Sequence, residues 1–291
     1  MEPNPIAPYD GSVQQGFKTL DRFFGLLENQ FEPWRLKRMA QAEASREKLL
    51  TSAKAESIIK IAEAESQREE QMALVRLRIK EWERQQENRA AVAQEAMKYL
   101  PPSLPEAVPD VDWINDFFHT VENISETQLR RVFAKILAGE VVTPRTFSRR
   151  ALVIVREMGP DEVRRWKAAC SLIWFLDLPE QSGGFIPGFL LDNARPDLLT
   201  SDDMILLEEA GLIRIHPGIR VQPPAGAVLR YGSHKFTVGP TPNLGIAAVF
   251  TTRAGDELYR VFDVQEDKDY LDRSLTFFKF PGNAVELSPV E

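Results

Sequence analysis

Cysteine is nearly missing from this chain. Cys170 stands alone among 291 residues, which excludes an intramolecular disulfide and fits a reducing compartment. Histidine is almost as scarce: His119, His216 and His234 are far apart, and none stands at metal-ligand spacing from another or from Cys170. No apolar run approaches the ~20 residues that a membrane-spanning helix needs. The N-terminus, MEPNPIAPYDGSVQQGF, has neither the basic stretch nor the apolar core of a secretory signal. Phosphate-cradling GxxxxGK(S/T), dinucleotide-binding GxGxxG and nucleophile-elbow GxSxG patterns are also missing. A surplus of positive charge is lacking too: 36 Lys and Arg face 43 Asp and Glu, a net charge of −7. The surface as a whole is therefore not an electrostatic nucleic-acid binder. Together these absences predict a cytoplasmic, non-enzymatic protein with no catalytic residue set, no metal site and no cofactor.

What is present is helix-forming composition and enough apolar mass, 43% with 17 Phe and 5 Trp, for a packed core. Across residues 31–100 the only helix breaker is Pro33, and Ala, Glu, Lys, Arg, Gln and Leu dominate. About 65 residues of helix would run roughly 100 Å, far beyond a domain diameter, so such a stalk needs a partner surface. Met39, Leu50, Ile61 and Met72 recur at steps of eleven, and Ala42, Ala53, Ala64 and Val75 repeat three residues on. That period favours a straight or slightly right-handed bundle. A strict heptad from Leu36 would instead put Glu43, Arg46, Lys60 and Arg68 in the seam. The eight residues of the eleven-step pattern are the predicted oligomer seam, with a solvated helix or one folded back on the body as the bland alternatives. Before the stalk, Phe17, Leu20, Phe24, Leu27 and Phe31 form an amphipathic face. Its polar side balances Lys18 and Arg22 against Asp21 and Glu28, which disfavours a membrane surface and favours protein packing.

Four prolines, Pro101, Pro102, Pro105 and Pro109, then end the stalk and form a stiff linker. A helical bundle is expected over residues 110–178. One helix begins at Asp110, with Trp113, Phe117 and Phe118 inward. Ser125 to Gln128 reads as a capping box for a second, with Leu129, Val132, Phe133, Ile136 and Leu137 as its apolar face and a stop at Gly139. A third runs from Pro144 and TFS through Met158, and a fourth, PDEVRRWKAACSLIWFL, opens at Pro160 with Asp161 and Glu162 in its first turn.

The phrases EPWRLKRMAQAEA, ERQQENRAAVAQEA, DWINDFF, LRRVFAKILAGEVVTP and TFSRRALVIV look like those of an uncharacterised bacterial family with an Ala/Glu-rich helical stalk. That family carries WxNxFF, LWAKILAGE and SLRTL motifs ahead of a C-terminal domain. This chain has Val132-Phe133 where the family often has Leu-Trp, and Arg149-Arg150 within the Ser-rich motif. The family brings no activity with it. The central block also resembles the Abi-alpha helical domain, which implies a role in phage defence.

After Leu178 the texture changes to Gly and Pro punctuation and β-branched runs. TSDDMILLEEAGLIRI reads as a helix capped by Thr200, a stop at Gly211 and a strand. Residues 228–231, 235–238 and 245–250 read as strands, and Thr252 opens another helix. Helix, strand, hairpin and helix in this order resemble a winged-helix module, a shape that does not by itself assign DNA binding. Cys170, among Ala169, Leu172 and Ile173, reads as a buried inert thiol. EDKDYLD lacks the bend glycine and closing Glu of a calcium loop and reads as a solvated acidic stretch.

Residues 127–184 carry ten bases against six acids, the one basic block, whereas 101–126 carry six acids and no base. Arg130, Arg131, Arg145, Arg149 and Arg150 are the candidate anion or nucleic-acid contacts. The structural alternative pairs them with Glu106, Asp110, Asp112 and Asp116 or with the acidic C-terminal third. The sequence thus predicts a mainly α protein: an amphipathic segment (1–34), a long helical stalk (35–100), a linker (101–109), a helical bundle (110–178) and an α+β winged-helix-like domain (179–291). The expected function is a homo-oligomeric scaffold or interaction protein with a protein partner. The alternative is a nucleic-acid-binding regulator using the central arginines.

Overall fold

The computed structural model describes residues 58–178, 182–188, 199–216, 218, 220–240, 245–279 and 287–290. Among them are eight α-helices and an antiparallel sheet that belongs to the C-terminal part. The chain divides between Arg145 and Thr146 into two compact units, whereas the expected bundle ran on to residue 178.

The first unit is helical. Helix α1, Ile58–Ala96, continues into a short 3-10 turn, Met97–Tyr99. After the proline-rich linker come α2, Val111–Val121, and α3, Thr127–Val142. Asp110 caps α2 by accepting from the Trp113 amide at 2.9 Å, which satisfies one of the orphan donors of the first turn. Trp113, Phe117 and Phe118 point inward as their spacing requires; Phe117 meets Phe133 of α3 edge-on at 5.9 Å. The start of α3 departs from expectation by one residue. Its N-cap is Glu126, without a side-chain cap bond, rather than Ser125, and the helix passes Gly139 to end at Val142. Ala138, Gly139, Glu140 and Val141 are all buried or half-buried, and this packing overrides the weak helix propensity of a lone glycine.

Among the residues of α1 whose burial is described, 68–96, the buried ones lie at the C-terminal end: Asn88, Arg89, Val92, Ala93 and Ala96. Arg84 Nη2 reaches Asn123 Oδ1 at 3.3 Å and Asn88 Nδ2 donates to the Glu122 carbonyl at 2.8 Å. The α2–α3 turn therefore sits beside residues 84–89. Lys135 of α3 lies 5.5 Å from the Tyr99 ring, so α3 runs from that turn toward the far end of α1. Residues 58–83, roughly 39 Å of helix, precede this packing, and 68–81 are exposed apart from the half-buried Val75.

The second unit opens with α4, Arg149–Glu157, and α5, Pro160–Cys170. The helix expected to continue through SLIWFL ends at Cys170; Trp174–Asp177 is instead β1. A short apolar run without polar alternation is compatible with a strand buried on both faces. The remaining elements are β2 (Ser182–Pro187), α6 (Ser201–Glu209), β3 (Ile213–Arg214), β4 (Arg220–Val221), β5 (Val228–Tyr231), β6 (His234–Val238), β7 (Ile246–Thr251), α7 (Arg253–Tyr259), α8 (Lys268–Phe278) and β8 (Leu287–Pro289). The sheet order is β3-β7-β2-β1-β5-β6-β8, with β4 also pairing β7. The helix, strand and hairpin expected to make a winged-helix module are α6, β3 and β5–β6, but β4 intervenes and the strands belong to one eight-stranded antiparallel sheet rather than to a separate small module.

Register assigns the sheet's two faces, because directly opposed residues point the same way. Trp174 and Tyr231 share one face, where Phe278 of α8 meets Trp174 at 5.0 Å and Tyr270 meets Tyr231 at 5.4 Å. Phe175, Gly184 and Thr251 share the other, where Tyr259 of α7 packs on Phe175 at 4.7 Å. Each face is thus covered by a different C-terminal helix.

Candidate interaction surfaces

The predicted stalk seam is only partly within the described residues. Met39, Ala42, Leu50 and Ala53 lie outside them, as does the whole amphipathic face of Phe17, Leu20, Phe24, Leu27 and Phe31. Ile61 and Ala64 lie on α1. Met72 is 47% exposed and Val75 half-buried; Leu74, Leu77 and Ile79 are exposed at 58%, 62% and 45%. At 100° per residue, Met72, Val75 and Ile79 occupy one side of the helix, and Leu74 and Leu77 nearly the opposite one. The helix therefore presents two apolar strips rather than one.

The five candidate arginines are divided between the two units, Arg130, Arg131 and Arg145 in the first and Arg149 and Arg150 in the second. Arg130 is engaged inside the helical unit. Its Nη2 donates to Asn88 Oδ1 at 2.6 Å and its Nε to the Ile124 carbonyl at 3.2 Å. Arg131 is exposed on α3. Arg145 is exposed at a left-handed φ of 70°, with its amide donating to Glu140 Oε1 at 2.6 Å. Arg149 and Arg150 belong to the other unit, on the exposed face of α4. One turn on, Val153 and Arg156 lie on that same face.

Two buried polar clusters escaped the sequence reading. In the helical unit, Arg89 Nη2 meets Glu122 Oε2 at 2.6 Å, with side-chain exposures of only 7% and 5%, and His119 Nδ1 approaches Glu122 Oε1 at 3.0 Å. With Asn88 and Arg130 this network ties α1 to the α2–α3 turn. The signal available was a charged residue, Arg89, in helical register with Val92, Ala93 and Ala96, but its partner lies 33 residues away. In the second unit, Ser148 caps α4 by accepting from the Ala151 amide at 3.2 Å. Both its Oγ and its amide donate to Glu257 Oε2 of α7 at 2.7 Å. Arg253 Nε holds the other Glu257 oxygen at 2.9 Å. The hydroxyl is thus engaged as a helix cap and an inter-helix link.

Beside it, Asp256 Oδ1 accepts from the Gly184 amide at 3.0 Å and from Thr251 Oγ1, and burial pushes its carboxyl above the usual range. Gly184 is required by this close approach: a Cβ would fall 2.7 Å from Thr251 Oγ1 and 2.9 Å from Asp256 Oδ1. Burial pushes the Tyr259 hydroxyl up to about 12 and the Cys170 thiol well above its ordinary value. Both therefore stay protonated near neutrality. Glu266 of the EDKDYLD stretch accepts from Ser233 Oγ at 3.1 Å, and Asp267 caps α8 through the Tyr270 amide at 3.0 Å. Among the described residues no group of three or more His, Cys, Asp or Glu could hold a metal ion, and no helix is long and apolar enough to cross a membrane.

Residues 71–183 match the family described as Protein of unknown function (DUF2806), which spans the C-terminal part of α1 through the start of β2. No curated protein and no solved structure matches the chain.

Proposed function

We propose that the chain is a non-enzymatic scaffold that assembles with copies of itself through the projecting part of α1 and holds its two folded units for a protein partner. The observation that carries this reading is the exposure of Met72, Leu74, Leu77 and Ile79 within the roughly 39 Å of helix, residues 58–83, that precedes the packing of Arg84 onto the bundle. A lone helix of that length has only its propensity and i,i+4 pairs of a few tenths of a kcal/mol each. Full burial between copies would contribute about 1.5–3 kcal/mol per large apolar side chain. Two strips on opposite sides suit a helix packed between two neighbours. The parallel coiled-coil arrangement, the winged-helix-like character of the C-terminal unit and the cytoplasmic setting belong to the same proposal. So does a place in a bacterial defence or stress system, which rests on the Abi-alpha-like motifs alone.

The test is the absolute mass of the full-length protein by light scattering behind a sizing column. The wild type is expected at a discrete multiple of 33.0 kDa. Leu50→Lys/Ile61→Lys/Met72→Lys is expected to lower that multiple while the circular dichroism of the folded units persists. An unchanged mass for the triple variant would sink the reading.

A further inference from the structure

The sheet face under α7 holds a buried cation with unused donors. Arg230 of β5 lies directly opposite Phe175 of β1, so both side chains point to that face. Lys235 of β6, opposite Arg230 on its other side, adds a second and half-buried cation. The Arg230 guanidinium carbon sits 4.6 Å from the centre of the Phe175 ring, and Tyr259 of α7 packs on the same ring. Arg230 is only 9% exposed. A guanidinium carries five N–H donors, and here one has an acceptor. Nε faces Asp177 Oδ2 at 3.4 Å, long beside the roughly 2.7–2.9 Å of a strong charge-assisted bond. Among the described residues Nη1 and Nη2 make no hydrogen bond, and neither is sealed from solvent. The Tyr259 hydroxyl likewise has no hydrogen-bond partner among the described residues. Burial keeps it protonated, although the nearby Arg230 charge pulls the other way. A buried charged group short of hydrogen bonds is costly, and what this cluster lacks is an acceptor.

We infer that Arg230 and Tyr259 bind the oxyanion group, carboxylate or phosphate, of a small molecule. The guanidinium fork matches such a group with two parallel N–H bonds, and the Tyr259 hydroxyl donates a third. Phe175 is the ring on which both donors are held. The chemistry of the cluster limits what it takes. A metal ion or an ammonium group is excluded, because the uncommitted groups are donors and one of them is a cation. A nucleic-acid duplex carries its phosphates on a convex backbone, which suits exposed arginines rather than one nine-tenths buried. The site belongs wholly to the second unit, so it does not depend on self-association of the stalk.

The test is thermal unfolding of the full-length protein in inorganic phosphate and in acetate, each at an ionic strength held constant with sodium chloride. A ligand that binds only the folded state raises the midpoint with a concentration dependence set by its affinity. A rise in phosphate alone identifies phosphoryl compounds, a rise in acetate alone identifies carboxylates, and a rise in both identifies a site open to either. Tyr259→Phe keeps the ring on Phe175 and removes only the hydroxyl, whereas Arg230→Lys keeps the charge and removes the fork. Each is expected to shift the concentration dependence to roughly tenfold higher anion or more. No rise beyond sodium chloride with either anion overturns the inference. So does a rise that either variant leaves unchanged, which is the general effect of strongly hydrated salts on folded proteins. Because Tyr259→Phe preserves the packing, it decides the matter even if Arg230→Lys fails to fold.

Discussion

Arg89 and Glu122 are the residues whose chemistry most constrains the helical unit. The pair is buried at 2.6 Å, Glu122 also faces His119, and Asn88 bonds the Glu122 carbonyl while accepting from Arg130. A buried ion pair is a weak net stabiliser, since desolvation offsets most of the attraction, but removing one partner strands the other charge. Arg89→Ala is therefore expected to lower unfolding free energy by about 3–5 kcal/mol. Arg89→Met/Glu122→Leu should recover much of that loss by replacing both charges with apolar volume. Chemical denaturation of the full-length protein checks this. A single variant within about 1 kcal/mol of wild type would show that the pair behaves as an exposed one. Arg130, a candidate for nucleic-acid contact by sequence, acts in the same network, and its two bonds account for it without a ligand.

Asp256 joins three elements, since its α7 carboxylate bonds the β2 amide of Gly184 and the β7 hydroxyl of Thr251. Burial is the main cause of its raised pKa, with Glu257 adding to it and Arg260 opposing. The folded state therefore holds a proton there more tightly than the unfolded chain. Stability from this group is fully present below the usual carboxylate range and is lost as pH rises through the elevated value. Asp256→Asn keeps an oxygen that can accept from Gly184 and Thr251 while removing the buried charge. It should leave the protein at least as stable at pH 7 and flatten the stability profile above the ordinary carboxylate range. Thermal unfolding across pH checks it; a large loss of stability at pH 7 would show that the charge itself holds α7 to the sheet.

Most caps were legible because their chemistry is local; the Ser125 box was the exception, with Glu126 taking its place. Asp110, Thr200 and Thr252 all cap the helices expected of them, and Gly211 adopts the left-handed φ of 76° that its stop position suggested. Strand β1 was not legible, because Ile173, Trp174 and Phe175 follow a helix with no breaker and are fully or nearly fully buried, leaving no polar alternation to read. The Ser148–Glu257 link was invisible for another reason: its partners are 109 residues apart, and only the tertiary fold brings them together.

For the whole molecule, ionic strength tests the force behind the proposed stalk contact. That contact rests on Met72, Leu74, Leu77 and Ile79, all uncharged. Exposed charge pairs are screened as the Debye length falls from about 10 Å at 0.1 M salt to about 3 Å at 1 M. Apolar burial is not weakened by screening and is reinforced by strongly hydrated salts such as sulfate. Raising sodium chloride from about 0.1 M to about 1 M should therefore leave the wild-type oligomer intact, and sodium sulfate should keep it as well. Light scattering at the two ionic strengths gives the answer. A wild-type mass that falls to monomer at high salt would mean that charge holds the assembly and that the exposed strips of α1 face something other than another copy.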